Sequence, residues 1–202
     1  MAKKKNPQLE LERKQQILLA AYKILSKKSY HKMTLCDVGR EAKMSTALVF
    51  YYFKNKENLV LETLRFFISM RSQRLLSIAQ ETELPVKERV KRLIENALPS
   101  REEMEHMAAF LNEVWAMAKE HPKALLATRE FYTQTREFCH ALFEIGKQEG
   151  YVKRDDSAWV TLFLNSVIDG LIMQVTANPQ LDVADIQKKV FRFFDAYLQS
   201  TD

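Results

Sequence analysis

Apolar residues recur every three to four positions along most of the chain, and no stretch alternates apolar and polar residues over the length of a strand. Leu, Ala, Glu, Lys, Gln and Met, which favour helices, dominate the chain. Prolines separate the long periodic stretches, at Pro85, Pro99, Pro122 and Pro179. The pattern predicts an all-α chain.

Nine helices are expected after a basic arm over residues 1–8. Their predicted spans are about 9–28, 35–42, 46–52, 56–81, from Pro85, 101–120, 122 to 146–150, 156–177 and 183–199. Predicted N-cap residues begin several of these helices, namely Thr34, Ser45, Asp155 and Asp182, or Asp185 in the last case. Ser100 with Glu103 predicts a capping box for the sixth helix.

Residues 34–53 predict two short helices joined by a four-residue turn at positions 42–45. Leu35, Val38 and Ala42 share the inner face of the first, and Leu48 and Val49 supply apolar contacts on the second. This spacing is typical of a helix-turn-helix, whose second helix can lie in the DNA major groove. Such short helices need support, so the first helix and the start of the fourth are expected to complete the core. An ordinary helical hairpin has similar apolar spacing and remains the alternative.

Charge is unevenly distributed along the chain. Residues 1–60 hold 13 Lys and Arg against 5 Asp and Glu, a net +8, whereas the remainder is mildly acidic and the whole chain carries +5. A basic segment attracts phosphate backbones or anionic membrane surfaces. No apolar segment follows the N-terminal lysines, and the most apolar window, residues 159–175, is short and interrupted by Asn165 and Asp169. Two widely spaced cysteines fit a reducing compartment. We therefore expect a soluble, cytoplasmic protein with no membrane partner.

Residues 34–59, which end in Phe-Tyr-Tyr-Phe-Lys-Asn-Lys-Glu-Asn-Leu, resemble the DNA-binding domain of the TetR family of transcriptional regulators. The resemblance implies an N-terminal three-helix DNA-binding domain over residues 9–60. It also implies a larger helical domain over residues 61–202 that binds a ligand and dimerises. The implied partners are double-stranded DNA with an inverted-repeat operator, a small-molecule effector and a second copy of the chain.

By position, the resemblance implies that Thr34 caps the second helix and contacts a phosphate, that Ser45 caps the recognition helix, and that Lys56 binds a phosphate. The expected DNA-binding set is Thr34, Ser45, Thr46, Ala47, Leu48, Phe50, Tyr51, Lys54 and Lys56. The recognition helix lacks Arg, Asn and Gln, so base reading is expected from methyl contacts, backbone positioning and DNA shape.

Three positions depart from the family pattern. Phe50 stands where the family usually has Tyr, and the hydroxyl of the adjacent Tyr51 is expected to compensate. Lys43 replaces the usual turn glycine, which costs about 1 kcal/mol if that residue needs a positive φ. Gly39 stands where Ala is common and is expected to weaken the second helix.

The C-terminal part is rich in aromatic and Met side chains, which indicate either an ordinary packed core or a ligand cavity between helices. The family resemblance favours a cavity for a mainly hydrophobic effector. Its candidate lining residues are Phe67, Met70, Phe110, Trp115, Phe131, Tyr132, Phe138 and Phe163. The charge of the effector is left open, because Glu113 and Glu130 favour a cation whereas Arg129 and Arg136 favour an anion.

The eighth helix is apolar around most of its circumference, so it is expected to lie between two packed layers. With the ninth helix it would form a two-fold dimer interface, as in the family. Asn165 and Asp169 would then be interfacial hydrogen-bond partners, the interpretation we favour, or polar groups of the effector pocket.

Two Glu-x-x-His pairs, Glu103/His106 and Glu137/His140, offer a different interpretation. A helical bundle could use such pairs to hold metal ions, as a metal-binding protein or enzyme. The second pair projects away from the apolar stripe of its helix, however, and further carboxylate ligands are not identifiable. We therefore expect no metal, cofactor or catalytic residue, and predict a ligand-responsive DNA-binding regulator, most simply a repressor.

Overall fold

The computed structural model describes residues 6–201, and these residues form nine α-helices and no strand. In chain order the helices are α1 Pro7–Leu25, α2 Leu35–Glu41, α3 Thr46–Phe53, α4 Lys56–Ala79, α5 Val86–Ala97, α6 Arg101–Ala118, α7 Pro122–Gln148, α8 Ser157–Ala177 and α9 Val183–Gln199. The predicted all-α class is confirmed.

The first helix differs most from its predicted span. α1 begins at Pro7, because the side chain of Asn6 caps it by accepting a hydrogen bond from the backbone N–H of Gln8 at 3.1 Å. The last two residues of the predicted arm are therefore helical, and Lys3, Lys4 and Lys5 lie outside the described residues. The helix ends at Leu25, three residues before the predicted end.

Most predicted caps are present. Thr34 and Asp37 form a capping box at α2, Ser45 caps α3, and Asp182 caps α9. The hydroxyl of Ser100 and the carboxylate of Glu103 bind each other and each other's backbone N–H at the start of α6, as the capping box requires.

The predicted cap at Asp155 is wrong. α8 is preceded by Asp156, whose side chain makes no bond to the helix. Arg154 and the hydroxyl of Tyr197 hold that carboxylate instead, at 2.9 and 2.8 Å. The side chain of Asp155 pairs with Lys147.

The described residues divide into two compact units. The first unit contains the residues up to Ser69 together with Ala109–Arg129, and the second contains Met70–Ala108 together with the residues from Glu130 onwards. Three long helices, α4, α6 and α7, contribute residues to both units.

The first unit has a core built on α1, with Ile17, Leu25, Val49 and Leu59 fully buried or nearly so. A triangle of aromatic rings extends this core: Tyr22 of α1 lies 5.1 Å from Phe67 of α4 and 5.0 Å from Phe110 of α6, centroid to centroid. Gln16 of α1 donates to the carbonyl of Ala42 at 2.9 Å, which ties α1 to the end of α2.

The second unit has Ile172, Val175 and Phe194 in its core. Buried Arg89 of α5 donates to both carboxylate oxygens of Glu149 at 2.5 Å and to the carbonyl of Ala79 at 3.0 Å. Three large apolar side chains of α8 and α9 remain exposed. They are Trp159, Leu162 and Phe193, which are about half exposed, at 55%, 49% and 51%.

By length and composition, α8 could cross a membrane, and it is the one such helix among residues 6–201. Long core helices of soluble proteins have the same length and composition, so this property alone is not evidence that α8 lies in a membrane.

Candidate DNA-binding and effector sites

The recognition helix α3 has two distinct faces. Val49 and Phe53 are buried, whereas Thr46, Ala47, Phe50 and Tyr51 are exposed and Leu48 is half-buried. Ser45 Oγ accepts a hydrogen bond from the N–H of Leu48 at 3.2 Å, which fixes the N-terminus of the helix. The exposed face thus carries two hydroxyls, two aromatic rings and two methyl groups, and it has no Arg, Asn or Gln to bind a base edge with two hydrogen bonds.

Two of the departures from the family pattern, Lys43 and Gly39, lie in or against the turn between α2 and α3. Lys43 has a φ of 54°, so the turn does require the conformation that glycine adopts most easily. Gly39 accepts a hydrogen bond from the N–H of Met44 at 2.8 Å, and a Cβ at Gly39 would lie 2.9 Å from the Met44 carbonyl oxygen. The absence of a side chain at Gly39 therefore lets the turn close against α2, which the sequence did not indicate.

Thr34 is engaged in capping α2. Its hydroxyl donates to Asp37 Oδ2 at 2.9 Å and accepts from the Asp37 N–H at 3.1 Å. Lys28 donates to the other carboxylate oxygen at 2.9 Å, and this bond, with those from Thr34, lowers the pKa of Asp37 to about 2. The cap predicted for Thr34 is confirmed, and its phosphate contact stays a prediction.

Lys56 has internal partners that the sequence did not reveal. Its ammonium donates to the carbonyl of Tyr30 at 3.0 Å and to that of Met33 at 3.3 Å, and lies 4.4 Å from the centre of the Tyr30 ring. The side chain is half-buried. Lys54, in contrast, is exposed at the C-terminal end of α3 with a φ of 61°.

Glu113 binds the connection between α1 and α2, although the sequence suggested it as a partner for a cationic effector. Its Oε2 accepts a hydrogen bond from the backbone N–H of Tyr30 at 2.6 Å. His121, the residue before α7, lies beside the Tyr30 ring and 3.8 Å from a carboxylate oxygen of Glu57. These contacts all lie within the first unit.

The candidate effector-binding residues fall into different environments. Phe67 and Phe110 are core residues of the first unit, and Trp115 of that unit is 43% exposed. Met70, Phe131, Tyr132, Phe138 and Phe163 belong to the second unit. Phe163 packs in an aromatic cluster of α8 and α9, where it contacts Trp159, Phe193 and Phe194.

A polar group lies inside the second unit, between α7 and α8. The Tyr132 hydroxyl donates to Asp169 Oδ2 at 2.9 Å, and burial raises the pKa of Asp169. Arg71 lies close enough to lower that pKa in part, and one of its guanidinium nitrogens is 3.1 Å from Met107 Sδ. Asp169 thus has a hydrogen-bond partner in its own chain, and its role at a dimer interface or in an effector pocket stays a prediction.

Comparisons with known proteins agree with this geometry. Residues 17–63 match the sequence profile described as "Bacterial regulatory proteins, tetR family". Residues 86–199, more than half of the chain, match the profile described as "BetI-type transcriptional repressor, C-terminal". The chain belongs to the TetR family of transcriptional regulators.

Two curated relatives show how far the similarity extends. The HTH-type transcriptional regulator BetI of Brucella anthropi is 27% identical over 172 residues, which cover 83% of this chain and 84% of BetI. The HTH-type transcriptional regulator HbdR of an Aromatoleum strain is 36% identical over 70 residues. That match spans 35% of this chain and only 31% of HbdR.

Solved structures share the fold at low identity. A transcriptional regulator from Saccharomonospora viridis in complex with choline superposes with a TM-score of 0.77 at 23% identity, covering 91% of this chain and 96% of that one. FadR of Bacillus subtilis in complex with stearoyl-CoA has a TM-score of 0.74 at 17% identity, covering 93% and 98%. These likenesses confirm the predicted TetR-like fold.

TetR-family regulators are not enzymes, and the geometry gives the metal-enzyme interpretation no support. Within residues 6–201, no group of three or more His, Cys, Asp or Glu side chains could hold a metal ion. Glu103 is engaged in capping α6. Burial raises the pKa of the Cys139 thiol to about 11, so the thiol is protonated at neutral pH.

Proposed function

We propose that this chain is a ligand-responsive repressor that acts in the cytoplasm and binds an inverted-repeat operator as a homodimer. A mainly hydrophobic small molecule releases it from the DNA. The observation that carries the proposal is the exposed face of α3, an aromatic and hydroxyl surface on the basic part of the chain. The match of residues 86–199 to a BetI-type repressor profile supports the sign of regulation.

The DNA-binding part of the proposal rests on the order of groups along α3. Thr46 and Ala47 are exposed in its first turn, where a recognition helix meets base edges, and Tyr51 and Lys54 follow towards its C-terminal end. Thr46, Ala47 and Phe50 would contact thymine methyl groups, whereas Ser45, Tyr51 and Lys54 would bind phosphates. Sequence preference then depends largely on apolar contacts and DNA shape.

The homodimer would form through α8 and α9. Trp159, Leu162 and Phe193 expose large apolar side chains there, and Met173 of α8 adds a fourth. Exposed apolar groups of this size on adjacent helices are typical of an interface between subunits. Two recognition helices related by a two-fold axis would read two half-sites about 34 Å apart.

The effector would bind within the second unit, beside the hydrogen bond between Tyr132 and Asp169. Met70, Phe131 and Phe138 would supply its apolar contacts, and the half-buried carboxylate would orient a polar group of the effector. Two regulators of this fold hold ligands as different as choline and stearoyl-CoA. The choice of effector therefore depends on the side chains of each chain rather than on the fold.

The test measures operator affinity with and without effector. A labelled duplex carrying the DNA that flanks the chain's own gene is titrated with protein, and its fluorescence polarisation reports binding. Hydrophobic compounds, with choline and stearoyl-CoA among them, are screened by thermal shift and then added at saturation. A coupling free energy of about 1–3 kcal/mol predicts that an effector weakens operator binding roughly 5- to 150-fold.

Two tyrosine variants locate the site. Tyr132→Phe removes the hydroxyl that binds Asp169, so it should weaken effector binding and leave operator affinity without effector unchanged. Tyr151→Phe is the matched control, because its hydroxyl binds Asp195 at 2.6 Å elsewhere in the second unit. If compounds bind the protein yet leave operator affinity unchanged, the effector role is wrong and the domain is a dimerisation module.

A further inference from the structure

The backbone of Tyr30 is held from both sides. Tyr30 lies in the connection between α1 and α2, where its N–H donates to Glu113 Oε2 at 2.6 Å and its carbonyl accepts from Lys56 Nζ at 3.0 Å. Glu113 belongs to α6 and Lys56 begins α4. We call this arrangement the Tyr30 clamp: Glu113 and Lys56 form hydrogen bonds to the backbone N–H and carbonyl of Tyr30.

The clamp fixes a turn that leads directly into the DNA-binding helices. The carbonyl of Ser29 accepts from the N–H groups of Lys32 and Met33 at 3.1 and 3.0 Å, which closes the turn. Lys56 also donates to the carbonyl of Met33, whose side chain is almost fully buried. The next residue, Thr34, caps α2, so the position of the turn sets the direction in which α2 starts.

The Tyr30 side chain is held as well as its backbone. Its ring lies 4.4 Å from the Lys56 ammonium, within the range of a cation–π interaction, and 6.0 Å from the His121 ring in an edge-on arrangement. Burial and the nearby carboxylates of Glu57 and Glu120 raise the pKa of the Tyr30 hydroxyl, so the ring stays neutral under ordinary conditions. The connection is therefore anchored by contacts from α4, from α6 and from His121, the residue before α7.

We propose that Glu113 and Lys56 are positioning residues for DNA binding, which act by holding the connection before α2 through the Tyr30 clamp. The inference rests on the proposed DNA-binding function and goes beyond it, since neither residue needs to touch DNA for this role. A loosened connection lowers the fraction of molecules whose α2 and α3 are correctly placed. Apparent operator affinity then falls by the same factor.

The charge of Glu113 makes this role distinguishable from simple electrostatics. DNA is an anion, so removing a negative side chain near it should leave affinity unchanged or raise it. The Tyr30 clamp predicts the opposite sign, because the acceptor for the Tyr30 N–H is lost. Gln keeps an acceptor oxygen at the same position without the charge, so Glu113→Gln should restore the behaviour of the original chain.

The experiment compares Glu113→Ala, Glu113→Gln and Glu120→Ala in the full chain. Glu120→Ala is the matched control, because it removes the same charge from the same unit and Glu120 is exposed. With the duplex that flanks the chain's own gene, Glu113→Ala should lose about tenfold in affinity, as expected for a lost hydrogen bond to a charged group. The other two should bind within about twofold of the unchanged chain.

Lys56→Ala adds an independent measurement, the dependence of affinity on salt. A lost phosphate contact would reduce the slope of log affinity against log salt by about 0.9. The Tyr30 clamp predicts lower affinity with an unchanged slope for both Lys56→Ala and Glu113→Ala. A reduced slope for Lys56→Ala would return that residue to the phosphate role which the sequence suggested and remove it from the clamp.

Hydrogen exchange of the Tyr30 amide tests the clamp without DNA. The amide should exchange faster in Glu113→Ala, and not in Glu113→Gln or Glu120→Ala, while amides of α8 stay protected in all three variants. Unchanged exchange at Tyr30 in Glu113→Ala, or equal affinities of Glu113→Ala and Glu120→Ala, would overturn the proposal. If the unchanged chain fails to bind the duplex, the proposed function fails, whereas the exchange data still decide whether the clamp exists.

Discussion

At the scale of single residues, the first unit contains two residues with a positive φ, Lys43 and Lys54, and a strongly stabilised charge, Asp37. Lys43, in the turn between α2 and α3, has a φ of 54°, in the left-handed region where a Cβ is unfavourable. Asp37 binds Lys28 and Thr34 at the start of α2. The effects of Lys43 and Asp37 on the free energy of unfolding can be measured without DNA, separately from their effects on binding.

Replacing Lys43 by glycine should stabilise the protein. Glycine adopts a positive φ without the steric cost of a Cβ, about 1–2 kcal/mol, and the added flexibility of the unfolded chain offsets about 0.5–1 kcal/mol of this, so we expect a net gain of about 0.5 kcal/mol. Urea unfolding followed by circular dichroism measures it. Lys43→Ala is the control, since it removes the same charge and keeps the Cβ, and it should give no gain. Equal stabilities of the two variants would show that charge, not backbone conformation, matters at this position.

The capping box at Asp37 should be sensitive to acid. Its pKa falls to about 2 from the ordinary value of 3.8, chiefly because Lys28 binds the ionised form. A lowered pKa means that the carboxylate stabilises the fold at pH values above 3.8, and that this contribution is lost as the pH falls towards 2. Asp37→Asn should therefore be less stable than the unchanged chain at neutral pH, by a margin that closes over this acidic range.

Thermal unfolding of both proteins across that pH range measures the margin. Lys28→Met serves as a companion variant, because loss of the largest stabilising hydrogen bond should bring the pKa of Asp37 back towards 3.8. A margin that stays constant with pH would contradict the assigned role of the ionised carboxylate.

At the scale of helices, the sequence predicted a helix cap correctly where the capping residue and the N–H group that it binds are close in the chain. The caps at Thr34, Ser45 and Ser100 act on N–H groups three residues ahead, so residue type and spacing were sufficient to predict them. At α8 two adjacent aspartates compete, and distant Tyr197 of α9 binds Asp156. No local pattern contains that contact, and the cap prediction failed there.

In the candidate sites, too, the sequence did not predict contacts between residues that are far apart in the chain. Periodicity correctly identified α3 as a helix with an exposed face, but the contact between Tyr30 and Glu113 joins residues 83 positions apart. The sequence suggested Glu113 only as a partner for a cationic effector. Likewise, Phe67 and Phe110 resembled effector-binding residues by composition, whereas Tyr22 packs against both in the core of the first unit.

The exposed apolar surface of α8 and α9 predicts a specific failure of assembly. Leu162→Glu places a charge on that surface, where desolvation in a subunit interface would cost several kcal/mol, so the dimer should dissociate. Sedimentation velocity measures the change in mass. Leu126→Glu is the matched control, because Leu126 of α7 is equally apolar and even more exposed, at 57%, and that variant should remain dimeric. If Leu162→Glu stays dimeric, α8 is not central to the interface.

At the scale of the whole molecule, charge is divided unevenly between the N-terminal residues and the rest of the chain. Residues 1–60 carry +8, whereas the remaining residues carry 18 Lys and Arg against 21 Asp and Glu. The net negative charge of residues 61–202 reduces non-specific attraction between that part of the chain and DNA. The basic groups near α3 should therefore dominate the electrostatics of binding, and among them Lys54 is exposed at the end of that helix.

Operator affinity should consequently fall steeply with salt, by a log–log slope of about −0.9 for each phosphate neutralised. Lys54→Ala should weaken binding to operator and unrelated duplexes alike and reduce the slope by about 0.9 per subunit, because a phosphate contact carries no base information. Lys188→Ala, an exposed lysine of α9, makes the same change of net charge and should leave the slope unaltered. Fluorescence polarisation at several salt concentrations gives all the slopes. Equal slopes for the two variants would mean that total charge, rather than contacts at the end of α3, draws this protein to DNA.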